Sequence, residues 1–147
     1  MGRAILGVIL GYLAMFVVVA VAFTTMHLGL GTERVFRPGS FEASPLFLVC
    51  AVVVSLAAAI LGGLVCASIA RAPKPPVVLA GIIFVLGVLS AGMSMSKPAA
   101  GPRTGDITPM EAAMRATQPQ WYSWSLPVIG AAGCMIGARL RKPVTRA

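Results

Sequence analysis

Four long apolar stretches decide what this chain can fold into. They are Ala4–Thr25, Pro45–Ala70, Val77–Ser94 and Trp121–Leu140. Each is close to the roughly 20 residues that a helix needs to cross the hydrocarbon core of a bilayer. Segments such as Phe16-Val17-Val18-Val19 and Val52-Val53-Val54 are apolar on every side. A strand of an outer-membrane barrel would alternate instead. In lipid, a segment has to satisfy its own backbone polar groups, so continuous helix is the default. The composition agrees: 58% of residues are hydrophobic and 11% are charged. That excludes a soluble enzyme, a disordered tail and a disulfide-stapled secreted domain, because so few charges cannot cover a water-facing surface.

The expected fold is therefore all-α: a polytopic membrane protein, one integral domain built as a four-transmembrane-helix bundle. The spans are expected at 4–25, 45–70, 77–94 and 121–140. Outer loops fill 26–44 and 95–120, an inner loop fills 71–76, and a basic tail fills 141–147. Arg3 followed by an apolar run, with Ala20-Val21-Ala22 beyond it, resembles a signal peptide. The run is longer than an ordinary signal core, so it reads as an anchor.

The net charge of +8 sits in short segments beside the apolar runs. Arg3, Arg71, Lys74, Arg139, Arg141, Lys142 and Arg146 fall on one side of the four-span arrangement. Arg34, Arg37, Lys97, Arg103 and Arg115 are spread over the longer loops of the other. The denser side is expected to be cytoplasmic. This places both termini inside a bacterial inner (cytoplasmic) membrane as a multi-pass protein. The cluster of Arg71, Lys74, Arg139, Arg141 and Lys142 is expected to attract anionic lipid at about 1 kcal/mol per basic residue. No aromatic-plus-basic array suggests nucleic acid.

The outer loops carry most of the functional signal. In 26–44, Glu33, Arg34, Arg37 and Glu42 are interleaved with Leu28, Leu30, Val35, Phe36 and Phe41, and Gly29, Gly31, Pro38 and Gly39 mark turns. Such a pattern suits a loop lying on the bilayer or on the bundle. In 95–120, Thr108-Pro109-Met110-Glu111 is a helix start, with a capping threonine, proline at the first position and a capping-box glutamate. A short amphipathic interfacial helix is expected from there to about Thr117, ending before Pro119. Trp121-Tyr122-Ser123-Trp124 marks the headgroup level. Glu33, Arg34, Arg37, Glu111, Arg115, Trp121, Tyr122 and Trp124 are thus the expected interaction surface.

Chemistry within the spans is sparse. No acid or base lies mid-helix, which argues against a proton-coupled transporter. Ser55, Ser68 and Ser90 are expected to bond their own helix backbone. Cys50, Cys66 and Cys134 form no CxxC pair and read as packing residues, with Cys66 the better lipidation candidate of the three. His27 with an outer acid and Ser94 or Ser96 has no nucleophile elbow to fix a triad. Met26, His27, Met93, Met95, Met110 and Met114 all fall at or near the outer side and are candidate ligands for Cu(I), a soft metal. Packing is the commoner use of such methionines, and no cofactor is expected.

Pairs of small residues four apart, Gly7/Gly11, Ala59/Gly63, Gly87/Ala91 and Gly133/Gly137, permit close helix approach. The expected role is that of a non-enzymatic accessory or assembly partner binding through its outer face. An oligomeric channel or carrier for small solutes is the alternative. A membrane enzyme acting on lipid would have to draw on Glu33, Arg34, Asp106, Glu111 and Arg115.

Overall fold

The computed structural model of the protein describes residues 2–37, 40–72, 74–95 and 117–141, with backbone alone at 27 and 30–33. Among these residues the fold is helical. The helices are α1 (Gly2–Val35), α2 (Pro45–Ala70), α3 (Lys74–Met95) and α4 (Gln120–Leu140). Three helices are long and apolar enough to cross a membrane, at Gly2–Met26, Pro45–Ala70 and Lys74–Met95. These coincide with the first three expected spans to within three residues at each end. The fourth falls short on hydropathy because its first turns carry Gln120, Ser123, Ser125 and Pro127. The short interfacial helix expected near Thr108 lies outside the described residues. Thr117, its expected end, is instead bridged to Glu42.

Two boundaries differ from the sequence expectation. The first outer loop was expected to begin at Met26, with Gly29 and Gly31 as turn residues, yet α1 continues as helix to Val35. Glycine inside a helix costs about 1 kcal/mol. Packing along α2 offsets that cost: Phe23 and Met26 lie against the cluster of Val35, Phe47 and Tyr122. The inner link is also shorter than expected, because α3 begins at Lys74 and takes Pro75 and Pro76 into its first turn. Proline is tolerated there since first-turn N–H groups have no helical partner anyway.

The ends of α2 show why it starts and stops where it does. Ser44 is its N-cap, accepting from the Phe47 N–H at 3.2 Å. The same hydroxyl donates to the Arg34 carbonyl at 2.7 Å. One side chain thus closes the end of α1 and opens α2. At the other end Arg71 adopts a left-handed conformation (φ 52°) and donates its N–H to the Ala67 carbonyl at 3.1 Å. Glycine is the usual residue at such a cap, because a Cβ is strained there.

Glycine seams set the packing. A Cβ at Gly11 would stand 2.8 Å from the Cys66 Cβ, and one at Gly7 would stand 3.0 Å from the Ala70 Cβ, so α1 lies antiparallel against α2. Gly133 faces Ala59 and Leu56, Gly63 abuts the Cys134 backbone, and Gly137 abuts that of Ile60. Phe47 shares a cluster with Tyr122 near one end and Ala67 accepts from Arg141 at the other, so α2 and α4 are parallel. On α3, Gly87 lies under the Pro127 ring, with 2.7 Å from a Cβ there to Pro127 Cγ, while Gly130 meets Ile83. The short 71–73 link joins α2 to α3. They are antiparallel, but α4 packs extensively against both and their own contact is slight.

Candidate functional site

Five of the described basic residues gather at one end of the helices, at the start of α1, the α2–α3 link and the end of α4. Arg3, Arg71, Lys74 and Arg139 are exposed, and Arg141 is half-buried. The Arg141 guanidinium donates to the Ala67 carbonyl, the same oxygen that accepts from the Arg71 N–H. This ties the end of α4 to the end of α2 and holds two arginines close together. Lys142 lies outside the described residues.

The opposite end is built on an aromatic core. Val35, Phe36, Ala43, Phe47, Leu48, Ala51 and Tyr122 are buried together. Phe23 meets Phe47 edge-on at 5.7 Å, and Phe36 meets Phe41 at 6.4 Å. The chain leaving α1 folds back over this core. Phe36 and Ala43 form an antiparallel bridge, and Glu42 bridges Thr117 in parallel. The Ala43 N–H donates to the Thr117 carbonyl at 3.1 Å, and the Thr117 N–H donates to the Phe41 carbonyl at 2.9 Å. The expected loop on the bundle is present, confined to the residues after Val35.

The candidate interaction residues divide. Arg34 and Arg37 are exposed at this end. Arg37 pairs with Glu42 at 2.9 Å, with both side chains more than half exposed; water screening leaves such a pair about 0–1 kcal/mol. Trp121 and Trp124 are 64% and 46% exposed. Tyr122 is 2% exposed and belongs to the core, not to the surface. The helical period explains the difference: residues three apart share a face, and the residue between them turns by about 100°. Glu111 and Arg115 lie outside the described residues, and the Glu33 side chain does as well.

Nor are the methionines gathered among the described residues. Met26 packs on the aromatic core. Met93 and Met95 are exposed on α3, a helix with little contact to α1. Met110 and Met114, and the His27 side chain, fall outside the described residues. No group of three His, Cys, Asp or Glu occurs among the described residues. Ser68 and Ser94 bond back to the Leu64 and Ser90 carbonyls at 2.7 and 2.9 Å, the self-satisfying geometry expected of serine in a helix.

A cleft of about 500 Å³ opens between the end of α3 and the start of α4. Ser90 and Ser94 line one wall, while Gln118, Gln120, Ser123 and Trp124 line the other. The sequence singled out Ser94 and Trp124 but not the glutamines, whose approach to α3 depends on the α3–α4 pairing. Comparison with protein-family models, with curated proteins and with solved structures finds no match to this chain.

Proposed function

We propose that this chain is a small multi-pass protein of a bacterial inner membrane and acts as a non-enzymatic accessory or assembly partner through its outer end. One observation carries the reading: the 36–44 segment is pinned onto an aromatic core and bridged to Thr117. This makes the outer end a shaped, fixed surface with charged and aromatic side chains on its rim. A membrane-embedded active centre or pathway has less support. No polar or charged residue is buried among the described residues, and the helix seams are shut by glycine against backbone. Those seams also use up the small-residue faces from which an oligomeric pore would be assembled.

The fourth span belongs to the same proposal. α4 lies along α2 from the Tyr122–Phe47 cluster to the Arg141–Ala67 tie. A helix paired from end to end with a spanning helix crosses beside it. The basic end then faces the cytoplasm, and anionic lipid is its partner there. Alkaline phosphatase fused after Gly105 should be active, and trypsin outside intact cells should spare Arg141. An inactive fusion or external cleavage would reverse the orientation.

For the outer end, purification in mild detergent should retain a stoichiometric membrane partner. The double change Arg37→Glu and Trp121→Ala should lower its recovery about tenfold, which corresponds to about 1.4 kcal/mol. Recovery of the bare monomer alone, from wild type, would end the accessory reading.

A further inference from the structure

Helix ends of both polarities meet at the basic end of the bundle. α1 and α3 start there and present partial positive charge; α2 and α4 finish there and present partial negative charge. The negative ends are covered. The Ala67 carbonyl of α2 accepts from both the Arg71 N–H and the Arg141 guanidinium, and α4 carries Arg139 in its last turn. A guanidinium has five N–H donors, so Arg141 keeps others beside the end of α2. The ends that attract an anion are open. Gly11 of α1 faces Leu79 of α3, which sets the two starts side by side, and Arg3 and Lys74 are exposed on them.

The helical period groups these cations further. Residues four apart share a face, so Arg3 continues the stripe of Gly7 and Gly11, one turn beyond the contact of Gly7 with Ala70. That brings Arg3 level with Arg71 and Lys74, which follow Ala70 in the chain. Arg139 stands two residues after Gly137, which abuts Ile60 of α2. Two residues turn a helix by about 200°, so Arg139 faces away from the group. Arg71 holds its place at a cost, because its φ of 52° suits glycine and strains other residues. The four acids of the sequence are elsewhere. Glu33 and Glu42 belong to the opposite end, and Asp106 and Glu111 to the segment whose flanks, Met95 and Thr117, are also at that end. The tail after Arg141 adds only Lys142 and Arg146 to the charge of its side chains.

Apolar surface adjoins the cations. Ile5, Leu6 and Ile9 on α1 and Val77 and Val78 on α3 are large and exposed. An anion that carries acyl chains can use both features, with its head at the cations and its chains along α1 and α3. Four cations match two phosphates, and basic pockets between helices take lipid heads of that kind. The geometry points to a site for one lipid with two phosphodiester groups, of the diphosphatidylglycerol type, at Arg3, Arg71, Lys74 and Arg141. The site rests on the reading that this end meets anionic lipid, and it turns a general attraction into a place for one molecule.

The test titrates the full chain in neutral detergent with diphosphatidylglycerol, with phosphatidylglycerol at equal phosphate, and with phosphatidylcholine. Native mass spectrometry counts the lipid retained. One diphosphatidylglycerol per chain should bind saturably, at a phosphate concentration about tenfold below that for phosphatidylglycerol, equivalent to about 1.4 kcal/mol. Arg71→Gly suits the left-handed cap better than arginine does, so it removes the guanidinium without harm to the fold, and it should abolish the preference. Arg3→Gln should do the same. Arg139→Gln removes an equal charge from the far face; it should weaken both anionic lipids alike and keep the preference. Inorganic pyrophosphate, which has the charge and no chains, should not displace the bound lipid. Equal binding of the two anionic lipids at equal phosphate would overturn the site and leave the general attraction standing. Phosphatidylcholine bound as well as either would end both. Displacement by pyrophosphate, or a preference that survives both Arg71→Gly and Arg3→Gln, would also overturn the site.

Discussion

Gly63→Ala is expected to destabilise the protein by about 3 kcal/mol, the upper end of the usual range for overpacking, although it adds a single methyl group. A Cβ at Gly63 runs into the Cys134 carbonyl, which is backbone and cannot rotate away as a side chain would. Relief requires α2 and α4 to separate, and that would also loosen Gly137 from Ile60 and Gly133 from Ala59. Gly137→Ala should behave in the same way. The controls lie in the same protein: Gly81 and Gly92 have nothing within 4 Å of a Cβ. Alanine there should be neutral or stabilising by up to about 1 kcal/mol, because it removes glycine's backbone freedom. Reversible unfolding in mixed micelles measures all four. If Gly63→Ala proved as stable as Gly81→Ala, the α2–α4 contact would be wrong.

Tyr122→Ala is expected to cost about 3–5 kcal/mol, the range found when a buried aromatic side chain is cut to alanine. Tyr122 is the largest of the fully buried side chains and joins α4 to Phe47, Leu48 and Ala51 of α2. The damage should be greatest at the outer end, where this core supports the folded-back segment. Hydrogen exchange at the amides of Arg37, Ala43 and Thr117, all bonded within that segment, should accelerate about tenfold or more. Local opening free energies can fall in one region while others hold, so amides in the α2–α4 seam near Cys134 should change less. Uniform acceleration along the chain would mean that the outer end is not a separate supporting unit.

The architecture was legible in the sequence where one kind of force dominates. Unbroken apolar runs gave helices, and the second run ends at Ala70 in sequence and structure alike. Proline and glycine were less informative, because packing can override local preference. Gly29 lies within α1, and Pro75 and Pro76 lie within the first turn of α3. The small-residue pairs marked close approach correctly, but a spacing of four names no partner. Only the three-dimensional order shows that Gly133 and Gly137 meet α2. Phe36 and Phe41 were legible as a loop resting on something. Trp121 and Trp124 were legible as surface residues, whereas Tyr122 required a helical phase. The α3–α4 cleft was hidden because its walls come from serines and glutamines about thirty residues apart, and no local pattern marks those types.

The position of α4 between α2 and α3 bears on how the protein is made. α1 and α2 have their mutual seam as soon as both have left the ribosome. α3 emerges next, touches that pair only slightly, and finds its main neighbour only when α4 follows. A nascent chain halted before residue 120 would hold a matched hairpin and a solitary third segment, its Gly87 notch empty of the Pro127 ring. The arrival of α4 thus does the work of a clasp, and membrane quality control would meet copies halted before it as chains with one unattached helix.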